Sequence, residues 1–75
     1  MSLENLQVED KVRIVAAGGG MKLDASKLTP DELIHVASAA GVSRARIAIA
    51  HSDVLSVEQL VLIAAAGKGT VFFQP

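Results

Sequence analysis

The chain reads as an α/β protein: three tandem helix–strand units, αβαβαβ, laying down a short parallel sheet with the helices on one face. Two observations predict this. Residues 6–20 (LQVEDKVRIVAAGGG) and 55–69 (LSVEQLVLIAAAGKG) align without a gap and agree at nine of fifteen positions, and a diverged copy, LTPDELIHVASAAG, begins at Leu28. After each copy comes a short run that alternates or is rich in branched residues, the local mark of a strand. Successive unit starts lie about 22 and 27 residues apart, which suits parallel strands joined by helical crossovers of one hand. The 75 residues then make one repeat domain, 1–75, with units of approximately 6–27, 28–54 and 55–75.

In the first unit Gln7 stands where a helix cap belongs, and Glu9 and Asp10 complement the positive end of a helix predicted over 7–18. Its apolar stripe is Val8, Val12, Ile14 and Val15, with Lys11 where the other units carry leucine. A lysine there suits a helix whose flank has no neighbour, as at the end of an array. Met21-Lys22-Leu23 is the first strand. In the second unit Thr29, Pro30 and Glu32 form a capping box with proline in the first turn. The helix is predicted over 29–40, with Leu33, Ile34, Val36, Ala37 and Ala40 on its buried stripe, followed by the strand Arg46-Ile47-Ala48-Ile49. Ser56 and Gln59 repeat the capping box in the third unit. There the helix is predicted over 56–66, with Val57, Leu60, Val61, Ile63 and Ala64 toward the sheet, then the strand Thr70-Val71-Phe72-Phe73. Gly18, Gly41 and Gly67 are expected to close the three helices through left-handed residues.

Composition bounds the function. A domain this small buries only about 60% of its unfolded surface, yet 51% of its residues are apolar. The absence of cysteine removes disulfides and thiolate metal sites, and two histidines make no zinc centre. No metal or cofactor is implied. Self-association is the remaining way to cover apolar surface. A net charge of −1 and only two aromatic residues, Phe72 and Phe73, argue against nucleic acid and a membrane surface as partners. No apolar run approaches the roughly 20 residues that a bilayer span requires, and the start MSLENLQ lacks a signal-peptide pattern, so the expected location is cytoplasmic.

Three stretches invite chemistry. Gly18-Gly19-Gly20 and Gly67-Lys68-Gly69-Thr70 resemble phosphate loops in composition, but they follow a helix and precede a strand, the reverse of the order that presents N–H groups to an anion. His51-Ser52-Asp53 holds the residue types of a hydrolase triad, but neighbours on an extended segment do not converge as a relay. Asp24, Ser26, His51 and Asp53 should gather at the carboxyl ends of the strands, where open α/β sheets place ligands; turn formation explains the same residues. His35 beside Asp31 and Glu32 reads as a helix-surface residue.

The functional expectation is a non-catalytic module that self-assembles or binds protein, a homodimer or higher symmetric oligomer. The expected interface is an uncovered sheet face carrying Ala48, Ala50, Val71, Phe72 and Phe73, with Leu62 on the helix surface. The rival is a small-molecule or metal-binding protein, or a small enzyme, working through Asp24, Ser26, His51 and Asp53.

Overall fold

The computed structural model describes residues 7–75; Leu6, which opens the first unit, lies outside the described residues. Helix α1 (Val8–Ala16), strand β1 (Met21–Asp24), α2 (Pro30–Ser43), β2 (Ile47–Ala50), α3 (Val57–Gly67) and β3 (Val71–Phe73) follow in order, with a 3-10 turn at Ser52–Val54 between β2 and α3. The sheet is parallel and runs β1-β2-β3. Neighbouring helices pack α1 on α2 and α2 on α3. The αβαβαβ arrangement expected from the repeats is therefore the observed one.

Local chemistry explains the helix starts. The Thr29 hydroxyl accepts from the Glu32 N–H at 3.2 Å while the Glu32 carboxylate accepts from the Thr29 N–H at 2.8 Å. Ser56 and Gln59 repeat the exchange at 3.2 and 2.9 Å. Each pair satisfies two donors that a helix start leaves open. Gln7 makes no side-chain cap bond, so α1 begins without that help.

The helix ends differ from expectation in the second unit. Gly41 does not stop α2, which runs on to Ser43 and closes through Arg44 in the left-handed region (φ 68°). The physical reason is contact, not conformation. A Cβ at Gly41 would lie 2.6 Å from the Ala66 carbonyl oxygen, so only glycine lets the α2 and α3 backbones approach this closely. One turn further, the Ser43 hydroxyl donates to the Val15 carbonyl at 2.6 Å and ties the end of α2 to α1. In the third unit Gly67 is the last helical residue, and Lys68 (φ 52°) and Gly69 (φ 90°) make the left-handed exit. Gly18 does sit just past α1, with φ 103°.

The core lies between sheet and helices. Leu33, Ile47, Ile49, Ile63, Val15 and Val36 are its fully buried side chains. Lys11 is also buried, against the expectation that it marks a flank with no neighbour. It takes the place of Leu33 and Leu60, its aliphatic stem filling a leucine position. The register aligns Met21, Ile47 and Val71, then Leu23, Ile49 and Phe73, in two rows across the strands. Buried Leu23, Ile47 and Ile49 fix these rows as the helix-facing side. Lys22, Ala48 and Phe72 form the row between them, on the outer face. Phe73 thus faces the helices and Phe72 faces away.

Candidate functional site

Exposed apolar surface concentrates at the third unit, on a flank rather than on the sheet face. Aligned by the repeat, Val8, Pro30 and Val57 are equivalent, as are Val12, Ile34 and Val61, and Val15, Ala37 and Ala64. In α1 and α2 this column faces the next helix: Val15 and Ala37 are buried, and Val8, Val12, Pro30 and Ile34 are half-buried. Among the described residues no helix follows α3. Val57 is 74% exposed, Val61 is 59% exposed and Ala64 is exposed. This corrects the expectation that Val57, Val61 and Ala64 face the sheet; only Ile63 of that stripe is fully buried, and Leu60 is half-buried.

The sheet ends at the same flank. β3 is an edge strand. The Thr70 carbonyl accepts from Ile47 N–H at 3.0 Å, and Gln74 N–H donates to the Ile49 carbonyl at 2.8 Å. Backbone groups alternate sides along a strand. Val71 and Phe73 therefore turn their N–H and C=O groups to the open edge, while their side chains lie on the helix side. Phe73 is 36% exposed where its row-mates Leu23 and Ile49 are covered. Among the described residues an apolar helix flank and an unpaired strand edge coincide there.

The outer sheet face is less apolar than the sequence suggested. Val71 and Phe73 are not on it, Ala50 is buried and Ala48 is half-buried. The exposed aromatic is Phe72, and the Arg46 guanidinium lies over its ring, 5.9 Å from the centroid. A cation on the ring face is a weakly favourable contact, and Phe72 stays half exposed beside it. Leu62 is exposed but shares its helix position with Arg13 and His35, on the solvent side of α3 and apart from the Val57–Val61 flank.

At the carboxyl ends of the strands the structure brings Asp24, Ser26 and His51 together. The Asp24 carboxylate accepts from the Ser26 hydroxyl at 2.5 Å and from its N–H at 2.9 Å. His51 Nε2 stands 4.0 Å from the other Asp24 oxygen. The Ser26 hydroxyl and then its N–H hold the Asp24 pKa below the ordinary carboxylate value, with the His51 and Lys27 charges adding to them against a partial desolvation. His51 adopts φ 58°, a left-handed backbone that histidine tolerates better than most residues. Asp53 is exposed in the following 3-10 turn. Ser52, passed over as triad material, is buried, and its hydroxyl donates to the Ile49 carbonyl at 2.7 Å, which makes it a turn-former. Among the described residues no group of three or more His, Asp or Glu is placed to hold a metal ion. No helix among them is long and apolar enough to cross a membrane.

Comparison with family models, curated proteins and solved structures gives no match.

Phe73 was expected at an interface, but on the sheet face; Val57, Val61 and Ala64 were not expected on the surface at all. A signal for this flank existed in the column equivalence across repeats, which sets Val57, Val61 and Ala64 beside positions that face a following helix in the first two units.

Proposed function

We propose that this protein is a non-catalytic interaction module that associates through the open flank of its third unit. The single observation that carries the reading is the repeat column. Positions covered in units one and two stand bare in unit three as Val57, Val61 and Ala64. A helix flank that stays in solvent would be expected to carry polar residues. Valines there, beside a half-exposed pair of phenylalanines and an unpaired edge, favour a partner. Self-association is the form the reading takes, with the interface on the flank and not on the outer sheet face.

The test is sedimentation velocity over roughly 10 μM to 1 mM, the range in which a small interface associates, on the native chain and on Val61→Lys. A native chain that gains mass with concentration, and a folded Val61→Lys variant that does not, supports the proposal. A native chain monomeric throughout removes self-association, and with it the support from Val61.

One observation favours a second reading, ligand binding at the strand ends: Asp24 and His51 converge although they are 27 residues apart (51 − 24). A thermal-shift screen of divalent cations and small amine or phosphate compounds tests it. A stabilising compound whose effect is lost in both Asp24→Asn and His51→Ala would favour this reading; a screen without a hit would remove it.

A further inference from the structure

We infer that the partner at this flank is a second copy of the chain, joined by antiparallel pairing of β3 with β3 about a two-fold axis at Phe72. The inference rests on the self-association reading above and adds the occupant, the symmetry and the residue contacts. Three observations lead to it.

The first is continuity with the contact inside the chain. What covers the equivalent column in units one and two is another helix, with another strand beside the previous one. The surface that completes α3 and β3 must likewise offer an apolar helix flank and a free strand edge together. Small side chains suit the close helix approach seen between α2 and α3, and Val57, Val61 and Ala64 are small.

The second is that the two ends of the array differ. The free side of α1 carries Asp10, Arg13, Ile14 and Ala17 around an open hollow. The Arg13 guanidinium and Asp10 carboxylate pair there at 4.0 Å, the first mostly and the second about half exposed to water. Stacking the valine flank of one copy on this end of another would set apolar side chains against both charges and strip water from them. Head-to-tail stacking is thereby disfavoured, and with it an open filament. The apolar end meets its own kind instead, and a surface that pairs with itself closes as a dimer.

The third is the edge pattern. Val71 and Phe73 point their backbone groups outward, and Phe72 points its own toward β2. An antiparallel pair centred on Phe72 sets Val71 of one copy opposite Phe73 of the other, twice, and each such pair exchanges N–H and C=O groups. Centring on Phe72 uses the whole of the short strand; centring on Val71 or Phe73 would leave part of it unpaired. The axis stands perpendicular to the sheet, so both sets of helices fall on one side and α3 lies antiparallel to its counterpart. The result is a continuous sheet in the order β1-β2-β3-β3-β2-β1, with the two Phe72 rings adjacent on the outer face.

Cysteine at position 72 tests this directly, because the chain has no cysteine of its own. The two copies of residue 72 would form a non-hydrogen-bonded pair with Cα atoms about 4.5 Å apart, inside the span of roughly 4.4–6.8 Å that a disulfide bridges. Phe72→Cys and Lys22→Cys, the latter on the same face of the opposite edge strand, are oxidised with glutathione at a concentration where the native chain sediments as a dimer. The expected result is covalent dimer formed at least tenfold faster by Phe72→Cys, with Lys22→Cys at the rate of random collision. Preferential cross-linking between the two variants when mixed would mean head-to-tail stacking and would overturn the inference. Equal slow rates, with the native chain dimeric, would overturn the geometry and leave the interaction module standing. A native chain that is monomeric at every concentration would sink both. Amide exchange on the unmodified chain gives a readout free of any substitution: Val71 and Phe73 N–H groups should gain protection as concentration rises. Protection unchanged on dimerisation would contradict the edge pairing.

Discussion

Gly41→Ala puts a methyl group 2.6 Å from the Ala66 carbonyl oxygen and 3.3 Å from the Gly67 carbonyl carbon. Two effects oppose each other. Alanine is favoured over glycine inside a helix by about 1 kcal/mol, and α2 is helical through this position. Forcing extra volume into a packed contact costs about 1–3 kcal/mol. The atoms met here are backbone, which cannot rotate aside, so the cost belongs in the upper half of that range. The net expectation is a loss of about 1–2 kcal/mol, a large share of the few kcal/mol that stabilise a domain of this size. Urea denaturation followed by circular dichroism reads it: with a slope of about 1 kcal/mol per molar, the midpoint should fall by about 1–2 M. A midpoint unchanged or raised would refute the close α2–α3 approach, because alanine would then have shown only its helix preference. Gly69→Ala is the companion measurement. It has φ 90° and no atom within 4 Å of a Cβ, so its loss, about 1–2 kcal/mol, is conformational alone.

Other expectations follow from the same structure. Thr29→Ala and Ser56→Ala should each lower unfolding free energy by about 1 kcal/mol through a lost cap, whereas Gln7→Ser should raise it by a few tenths to about 1 kcal/mol, since α1 lacks a side-chain cap; denaturation midpoints check all three. Ile49→Ala removes a fully buried side chain and should cost about 2–5 kcal/mol, while Val57→Ala, mostly exposed in one chain, should stay within about 0.5 kcal/mol in dilute solution; comparable losses at the two sites would contradict the assigned faces of α3. The Asp24 pKa is depressed in the folded state, so its stabilisation is present above the unfolded carboxylate value and is lost as pH falls through the lower folded value. Ser26→Ala should move the Asp24 titration midpoint upward in carboxyl-detected NMR; an unmoved midpoint would rule out the serine as the main cause.

Much of the fold was legible because the repeats state it three times. Capping pairs Thr29–Glu32 and Ser56–Gln59 mark helix starts by chemistry that is local in the chain, and the structure keeps both. Gly41 was misread because a glycine after alanines signals either a helix stop or a close helix contact, and only the position of α3 decides between them. Val57 and Val61 were misassigned for a related reason. A helical wheel finds an apolar stripe, but one broad stripe serves both the sheet and the neighbouring helix, and among the described residues α3 has no following helix to cover its share. The parity of Phe72 and Phe73 is a matter of register, since a one-residue slip exchanges the faces. The convergence of Asp24, Ser26 and His51 was readable from their equivalent places after β1 and β2, whereas Asp53 went elsewhere because the chain turns at Ser52.

A dilution series of amide spectra, recorded from about 1 mM to 10 μM, bears most directly on the bare third-unit flank as the contact surface. Resonances of Val57, Val61, Ala64, Val71 and Phe73 should move together with concentration, while those of Asp10, Ile14 and Lys22 at the opposite end stay fixed. Spectra that do not change across the series, or changes centred on Leu62 and His35 instead, would contradict it.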